Sequence, residues 1–404
     1  MVCNSRRANA SPKEIIAGAA LATLLVWNVL YWLDQPTVLS DAIADWSQVR
    51  AVQEGTDPYI DVVELASRFG AQLAPAGSTE LGPGDWIHPR TPGALLLLYP
   101  IGLVDESTAH NVYLVVGAIA LWILAVHLVA RVSPIDRGTL MLGTALMLAS
   151  APIVSAFEFG TVSLVVACLV LFVWIGADSD RQWVSGLALG LAIALKAWPA
   201  LLIVPLLVHR RFRAVAWCVG LIVFIESIAS GLFGISPRDV FGALASASDR
   251  WIRYSGNGSL TGVLVRSGLD PLSVTISAVA LGSGVVAAVS TKRRFLAYPL
   301  AITVGLLVSP LSWEHYDVVL LAVAAVTLAY PAWPRVLSGS FLLVALLGMA
   351  FRRLATDNAP MGFRTLAGRL LLLGAIALCL RLPDPDNGGQ GLDLEAKAPV
   401  RVRS

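Results

Sequence analysis

The chain is a succession of apolar runs, many long enough to cross a lipid bilayer, that alternate with polar segments. The first run, residues 15–33, follows Arg6, Arg7 and Lys13, which is the basic flank of a first, uncleaved transmembrane helix. Only 14% of the residues are charged, against about a quarter in soluble domains, so a water-soluble fold could not bury this much apolar surface. The sequence therefore predicts an all-α integral membrane protein.

The apolar runs predict about twelve transmembrane helices that alternate in direction along the chain. These helices are predicted at 15–33, 108–130, 138–156, 161–177, 183–195, 198–208, 214–233, 272–290, 295–309, 317–333, 336–350 and 365–380. We interpret the interrupted stretch 183–208 as two short spans instead of one kinked helix. Arginine and lysine clusters then lie in alternate connections, which predicts a multi-pass protein with both termini in the cytoplasm. Arg352, Arg353 and Arg364 fall on the outside in this assignment, against the charge rule.

Residues 1–382 are predicted to form one transmembrane domain, and function is expected in its external loops. The first extracytoplasmic loop covers 34–92 and is predicted to carry juxtamembrane helices, and a second loop covers 234–271. The apolar run 93–104 has 12 residues, too few to span a bilayer, which predicts a re-entrant or surface helix. Residues 383–404 are rich in Pro, Gly and Asp, which predicts a disordered cytoplasmic tail.

The charge and cysteine patterns argue against two functional classes. A net charge of +2, with basic residues in short clusters between apolar runs, argues against a nucleic-acid-binding protein. The four cysteines have no paired spacing that would indicate a metal site or a disulfide framework. We therefore expect no metal and no cofactor, and we expect membrane lipids as partners in place of nucleic acid.

The first external loop is acidic, with nine Asp or Glu residues against three Arg. Asp41 begins a predicted helix eight residues after the first span, and Asp45 lies one turn further on the same face. Such a carboxylate pair at the membrane surface could deprotonate a sugar hydroxyl or hold a cation. Two carboxylates without further ligands form a poor cation cage, which favours metal-independent chemistry.

A second polar cluster, WEHYD at 313–317, opens a predicted span and is the densest polar group at any span end. His315 in this cluster is a candidate for binding a phosphate. Lys196 and Arg90 are predicted on the same external face, where they could contact a substrate phosphate or ordinary lipid head groups. Glu226, the only acid deep in a predicted span, is either a functional candidate or a partner in an interhelical hydrogen bond.

Several motifs, taken in order, resemble those of glycosyltransferase family 87, the polyprenol-phosphate-sugar-dependent membrane enzymes of actinobacteria. They are DAIADWSQVRAVQEGTDPY (41–59), HPRTPGALLLLYP (88–100), FEFGTVSLVV (157–166), LALGLAIALKAWPALLIVPLLVHRRFR (187–213), GNGSL (256–260) and SPLSWEHYDVVLL (309–321). The Lys-x-x-Pro and Ser-Pro-x-Ser-Trp-x-His elements are the most specific in combination, whereas GNGSL alone is a weak signal. The resemblance covers about residues 15–330.

The resemblance implies a GT-C fold, an inverting sugar transfer from a polyprenyl phosphate, and a catalytic aspartate in the first external loop. By motif position the aspartate is Asp41, the general base, and His315 and Lys196 match residues near the donor phosphate. The candidate donor-phosphate or substrate-binding residues are His315, Lys196, Arg90, Asp45, His88, Trp313, Glu314 and Asn257. The polyprenyl chain of the donor is expected to run along the helix at 93–104 toward Asp41.

Some motif positions depart from the family pattern, which leaves the sugar and the acceptor open. They are Asp45, Thr161, Ser163, Tyr316 and the stretch His88-Pro89-Arg90. The leading prediction is a mannosyltransferase of the plasma membrane that modifies an envelope glycolipid or glycan at the extracytoplasmic face. The alternatives are an arabinofuranosyltransferase, indicated by DRQW at 180–183, a transporter or flippase of lipid-linked sugars, and a non-catalytic membrane subunit. The concentration of polar residues at one face favours transfer over transport.

Overall fold

Most of the described residues lie in helices. The computed structural model describes residues 10–34, 41–71, 88–132, 135–177, 181–254, 256–291, 294–328, 330, 333–354 and 359–382. The α-helices are α1 (Pro12–Leu33), α2 (Asp41–Gln53), α3 (Val62–Arg68), α4 (Pro92–Leu98), α5 (Glu106–Ile123), α6 (Val129–Val132), α7 (Arg137–Met147), α8 (Ala151–Glu158), α9 (Ser163–Gly176), α10 (Gln182–Leu195), α11 (Ile203–Val208), α12 (Phe212–Phe233), α13 (Pro237–Trp251), α14 (Leu260–Arg266), α15 (Asp270–Ser290), α16 (Arg294–Val308), α17 (Leu320–Thr327), α18 (Trp333–Leu354) and α19 (Ala359–Arg381). Short 3-10 helices cover Tyr99–Leu103, Trp198–Leu202 and Glu314–Val319, and a π-helical turn covers Leu124–Leu128. None of the described residues lies in a β-strand, which confirms the all-α prediction. The predicted tail, 383–404, and residues 72–87 of the first external loop lie outside the described residues.

Within the described ranges, five helices are long and apolar enough to cross a membrane, which confirms the integral membrane class. They are Pro12–Leu33, Glu106–Leu128, Phe212–Phe233, Asp270–Ser290 and Gly362–Arg381. The number rises to six if α7 and α8, which meet at a bend of 65°, cross as one unit. Shorter apolar helices occupy most of the other predicted spans, so the count of twelve stays a prediction.

The outer helices present apolar side chains that a bilayer would cover. In the apolar windows of α12 and α15, only 17% and 11% of the residues are buried within the protein. Phe224 of α12 and Val279 of α15 are both well exposed. By contrast, α17 is apolar on all sides and lies in the core of the bundle. Because hydrocarbon and not water surrounds outward faces of a membrane protein, this pattern is the one expected for a lipid-embedded bundle.

The predicted interruption within 183–208 is present in the fold. α10 ends at Leu195, and Lys196 then has extended backbone torsions of φ −150° and ψ 129°. Pro199 lies in the first turn of the 3-10 helix that follows. Because proline lacks a backbone N–H and crowds the preceding turn, one uninterrupted α-helix is disfavoured here. The break places Lys196 at the end of a helix and not in the middle of a span.

α2, which the predicted first external loop supplies, is inserted into the bundle. All of its residues from 42 to 49 are buried, and the polar side chains of Asp45, Ser47 and Gln48 are fully buried. α3, α4, α5 and the 3-10 helix Tyr99–Leu103 pack around it. A helix that is buried on all sides must satisfy its polar side chains internally, so hydrogen bonds as well as packing hold α2 in place.

The apolar run 93–104, predicted as a re-entrant or surface helix, forms α4 and the 3-10 helix that follows. The Thr91 side chain caps α4 by accepting a hydrogen bond from the N–H of Ala94. This unit packs against α2 and α12, and a Cβ added at Gly102 would lie 2.6 Å from Val49 Cγ1. The run is therefore helical and close to α2, while its depth in the membrane stays a prediction.

Candidate active site

Three residues from distant parts of the chain meet at the start of α2. Asp41 Oδ2 lies 3.4 Å from Lys196 Nζ and 3.7 Å from His315 Nε2. Asp41 is the first residue of α2, Lys196 follows α10, and His315 lies in the 3-10 helix Glu314–Val319. The Asp41 side chain is 16% exposed, whereas those of Lys196 and His315 are 7% and 5% exposed. The structure thus brings together the three residues that the resemblance singles out and leaves the Asp41 side chain partly exposed.

The turn after α8 fixes the first residues of α2 next to His315. The N–H of Ala42 donates to the carbonyl of Phe159 at 3.3 Å, and the Phe159 ring lies 5.9 Å from the imidazole of His315 between centroids. Gly160 has a φ of 54°, and a Cβ at this residue would lie 2.9 Å from Ala42 Cβ. Glycine therefore permits both the left-handed backbone and the close approach of α2. The FEFGT motif places Asp41 beside His315 in this way.

Lys196 is held between Asp41 and Tyr316. Its Nζ donates to Tyr316 Oη at 3.0 Å and lies 4.4 Å from the centre of the same ring, which is the distance of a cation–π contact. Tyr316 is one of the positions that depart from the family pattern, so this departure contacts the site directly. An ammonium group has three N–H donors. The hydrogen bonds of Lys196 to Asp41 and Tyr316 therefore leave one N–H for a further acceptor.

The protonation states in this cluster follow from burial and neighbouring charge. Burial opposes ionisation of Asp41, but the Lys196 cation, together with His315, holds the pKa of its carboxyl well below its usual range. Burial lowers the pKa of His315 and outweighs the opposite influence of the Asp41 charge. At neutral pH the cluster is therefore a carboxylate beside a lysine cation and a neutral imidazole. Such a carboxylate can accept a proton, and the cation beside it can bind a phosphate.

A second group of polar residues lies one helical turn further along α2, and we call it the supporting network. It consists of Asp45, Arg90, His88 and Tyr113. Arg90 Nε and Nη2 donate to the two oxygens of Asp45 at 2.6 and 2.8 Å, and Tyr113 Oη donates at 2.7 Å. His88 Nε2 lies 3.0 Å from Asp45 Oδ1, and Arg90 Nη1 donates to the carbonyl of Leu195 at 2.8 Å.

The supporting network joins α2 to the end of α10. All three guanidinium nitrogens of Arg90 donate to protein atoms, one of them to the residue before Lys196. Burial opposes ionisation of Asp45, but Arg90 and His88 lower its pKa to about 2, so the Asp45–Arg90 pair stays ionic. The side chains of Arg90, His88 and Asp45 are directed toward one another. Contacts of these residues with a sugar donor therefore stay predictions.

Asn257 and Trp313 shape the segment that leads to His315. Asn257 Nδ2 donates to the carbonyl of Pro310 at 2.8 Å, and its Oδ1 accepts from the N–H of Ser312 at 3.3 Å. The Trp313 ring packs edge-on against Trp251, with centroids 5.4 Å apart. The GNGSL and SPLSWEH motifs therefore form one unit. Contact of Asn257 or Trp313 with a substrate stays a prediction.

Two arginines in α19 have contacts that the sequence did not predict. Arg364 donates to Glu314, and Arg369 Nε donates to Asp317 Oδ1 at 2.8 Å. The available signal was the placement of Arg364 on the predicted outside, against the charge rule. The conflict has a physical explanation, because Arg364 meets an acid inside the protein and needs no cytoplasmic surroundings. Tyr113 also escapes prediction, since nothing distinguishes it from other aromatic residues in spans.

Glu226 anchors the start of α4. Its two carboxylate oxygens accept from the hydroxyl of Thr91 at 2.6 Å and from the N–H of Gly93 at 2.9 Å. A Cβ added at Gly93 would lie 2.6 Å from Glu226 Oε1, so glycine is needed at that position. The predicted interhelical hydrogen bond is therefore present. It holds the HPRTPG segment, which supplies Arg90 to the supporting network.

A cavity of about 680 Å³ lies beside the supporting network, between the α2–α3 connection and the start of α13. Asp57, Tyr59, Phe233 and Arg238 are among the residues that line it. Tyr59 Oη donates to the carbonyl of Arg90 at 2.8 Å, which connects the cavity wall to the network. Among the described residues, no group of three His, Cys, Asp or Glu side chains is placed to share a metal ion.

The fold and the site define a class: a helical membrane protein in which a carboxylate, a lysine cation and a histidine meet at helix ends. The sequence profile of Glycosyltransferase family 87 matches residues 86–310, which is more than half of the chain. The chain belongs to glycosyltransferase family 87, as the motifs predict. Lys196 lies inside the matched region, whereas Asp41 and His315 lie outside it.

Characterised mycobacterial proteins are similar to this chain at modest identity. A polyprenol-phosphate-mannose-dependent alpha-(1-2)-phosphatidylinositol pentamannoside mannosyltransferase of Mycolicibacterium smegmatis is 30% identical over 284 residues, 64% of this chain and 66% of the relative. The protein of the same name from Mycobacterium tuberculosis is 27% identical over 276 residues, 64% of this chain and 63% of the relative. A phosphatidylinositol mannoside mannosyltransferase of M. smegmatis, also polyprenol-phosphate-mannose-dependent, is 27% identical over 364 residues, 79% of this chain and 80% of the relative. The chain thus spans just under two thirds of the first two relatives.

Proposed function

We propose that this protein is an inverting membrane glycosyltransferase that moves mannose from a polyprenyl-phosphate donor to a hydroxyl of an envelope glycolipid. The observation that carries the proposal is the ionised carboxylate of Asp41, 3.4 Å from the Lys196 cation and 3.7 Å from His315. Family membership supports glycosyl transfer, and the names of the relatives support mannose as the sugar.

The proposed reaction is a single displacement at the anomeric carbon of the sugar. The acceptor oxygen attacks C1 as Asp41 removes its proton, and the bond between C1 and the phosphate oxygen breaks with its electrons on the phosphate. Inversion follows because the attacking and leaving oxygens lie on opposite sides of C1. Lys196 stabilises the negative charge that develops on the leaving phosphate, and a phosphate bound at Lys196 would accept a hydrogen bond from His315.

Lys196 also couples donor binding to the basicity of Asp41. Without the donor, the ammonium group contacts Asp41 and Tyr316, and the nearby cation keeps the carboxylate a weak base. A phosphate that binds Lys196 draws the cation away and adds its own negative charge, and both effects raise the pKa of Asp41. The base would therefore become effective when the donor is in place.

The proposed orientation puts this site at the extracytoplasmic face of the plasma membrane, with both termini in the cytoplasm. The unit made of α4 and the 3-10 helix Tyr99–Leu103 would guide the polyprenyl chain toward α2, against which it packs. A phosphatidylinositol mannoside is the first acceptor to supply, because the relatives' names specify that class.

The test is transfer by the purified protein in lipid, with polyprenyl-phosphate-mannose or polyprenyl-phosphate-arabinose as donor and phosphatidylinositol mannoside as acceptor. Release of free polyprenyl phosphate and the anomeric configuration of the product are measured for the unmodified protein, Asp41→Asn and Glu64→Gln. Glu64→Gln is the matched control, because Glu64 is an exposed acid of the same loop. Mannose transfer with inversion that is lost only in Asp41→Asn supports the proposal.

Other outcomes separate the alternatives. Release from the arabinose donor alone would identify an arabinofuranosyltransferase. Movement of lipid-linked mannose across the membrane that survives Asp41→Asn would identify a transporter or flippase. A folded protein that neither transfers nor transports would be a non-catalytic subunit.

A further inference from the structure

Arg369, in the middle of α19, is fully buried and ties three separate elements to this helix. Its Nε donates to Asp317 Oδ1 at 2.8 Å, and its Nη2 donates to the carbonyl of Trp313 at 3.1 Å. Its Nη1 donates to the carbonyls of Gly258 and Leu306, both at 3.0 Å. The guanidinium group therefore joins the turn before α14, the end of α16 and the segment that carries His315.

Arg364 makes a second connection between α19 and the same segment. It donates to Glu314, and its Nη1 donates to the carbonyl of Gly348 in α18 at 2.5 Å. Glu314 and Asp317 lie on either side of His315 in the 3-10 helix Glu314–Val319. Each of the two acids that flank His315 is thus bound to an arginine of α19.

Two buried ion pairs contribute little net stability to a helix bundle. Apolar side chains of similar volume often give equal or greater stability, because burying charges carries a large desolvation cost. What a guanidinium adds is geometry, since its planar donors fix the direction of several acceptors at once. α19 lies beyond residue 310, where the family match ends, so the match assigns these arginines no role.

We propose that Arg364 and Arg369 are positioning residues, which hold the 3-10 helix so that His315 Nε2 faces Asp41 Oδ2 across 3.7 Å. The kinetic consequence rests on the proposed function, whereas the placement of His315 can be measured without turnover. A displacement of about 1 Å at a reacting centre lowers catalysis by about 10²-fold. The arginines therefore act through His315 and need not touch either substrate.

The experiment uses the full chain in lipid nanodiscs, with Arg364→Gln as the first variant. Its side chain is 11% exposed, so its loss disturbs packing less than loss of the fully buried Arg369. The measurements are kcat and KM for polyprenyl-phosphate-mannose, the carbethoxylation rate of His315 by site-resolved mass spectrometry, and the unfolding temperature. Arg253→Gln is the matched control, because it removes an exposed ion pair with Asp270.

We expect Arg364→Gln to lower kcat by roughly tenfold to hundredfold, with KM changed by less than about threefold. His315 should react roughly threefold faster, because the segment that buries it is released on one side. Arg364→Lys should recover most of the loss, since it keeps a cation opposite Glu314. Arg253→Gln should behave like the unmodified protein in all measurements.

The proposal is overturned if Arg364→Gln leaves both kcat and the reactivity of His315 unchanged. It is also overturned if activity falls only in parallel with the folded fraction, with no recovery by Arg364→Lys. If the unmodified protein transfers no sugar from either donor, the proposed function fails. The reactivity of His315 in Arg364→Gln then still decides whether the arginines position this residue.

Discussion

Asp41 and Asp45 lie one turn apart on the same helix, yet their surroundings differ. Asp41 keeps solvent access and meets its lysine at 3.4 Å, which is a long contact that a substrate could replace. Asp45 is fully buried, and its fork with Arg90 has distances of 2.6 and 2.8 Å. Tyr113 and His88 also contact the Asp45 carboxylate, which therefore has no room for a further partner.

Under the proposed function, the difference distinguishes a carboxylate that reacts from a carboxylate that stabilises the fold. An acid that must gain and lose a proton needs loose partners and access, whereas an acid that fixes a helix needs short, saturated contacts. The Arg90 side chain connects the two, because it reaches from Asp45 to the residue before Lys196. We therefore expect changes around Asp41 to alter the reaction and changes around Asp45 to alter folding.

The largest expected effect is that of Asp41→Asn on the reaction. An amide cannot accept the proton of the acceptor hydroxyl, so kcat should fall by about 10² to 10⁴. The unfolding temperature should fall moderately, because the buried Lys196 cation loses its carboxylate partner but keeps its contact with Tyr316. Turnover assays with equal amounts of folded protein measure the first effect. A loss in proportion to unfolded protein would contradict it.

Asp45→Asn should act on stability instead. It leaves the Arg90 cation buried without its carboxylate, which costs about 3–5 kcal/mol. We expect a low yield of folded protein and a marked drop in unfolding temperature, measured by thermal denaturation in detergent. Asp57→Asn, an exposed acid of the same loop, serves as control. A stable Asp45→Asn protein with abolished transfer would instead move Asp45 into the reaction.

Lys196→Gln should change both rate and pH dependence. Loss of the cation that we propose to bind the leaving phosphate should lower kcat by about 10²-fold. The same cation holds the pKa of Asp41 low, so we expect the acid limb of kcat/KM to lie below the usual Asp pKa in the unmodified protein and to move to higher pH in Lys196→Gln. Rate profiles across acidic pH test the sign. Lys13→Gln, which removes an exposed lysine, should leave the limb in place.

Glu226→Gln should have the smallest effect. The amide keeps one acceptor for the N–H of Gly93 and can donate to the Thr91 hydroxyl, so the free energy of unfolding should fall by about 1 kcal/mol or less. Gly93→Ala should be worse, because its Cβ would lie 2.6 Å from the Glu226 carboxylate. Denaturation of both variants shows which of them loses more free energy of unfolding. Abolished transfer in folded Glu226→Gln would show that this acid takes part in the reaction.

The helices could be predicted because local signals specify them, whereas the key residues followed from the resemblance to a family. Apolar length predicts the membrane helices, Pro199 marks the break that ends α10, and the resemblance to the family 87 motifs selects Asp41, Lys196 and His315. The contact between Lys196 and Tyr316 could not be derived, because it joins residues 120 positions apart. The same holds for Asp45 and Arg90, whose charges predict polarity but not a pairing 45 positions apart.

Arg364 shows how a local rule fails for a physical reason. The charge rule assumes that an arginine near a span end faces water or lipid head groups. Arg364 and Arg369 instead face Glu314 and Asp317 inside the bundle, and no periodic pattern announces such a long-range pair. An arginine that conflicts with the charge rule can therefore point to an internal acid.

Chemical rescue is the sharpest test of the proposal that Asp41 is the base. Asp41→Ala is assayed for polyprenyl phosphate release with and without formate, which can supply a carboxylate in the space that the shortened side chain leaves. We predict low activity that formate raises by about tenfold, with no response in the Glu64→Gln control. Full activity of Asp41→Ala, or a dead enzyme that binds donor normally and ignores formate, would contradict the account.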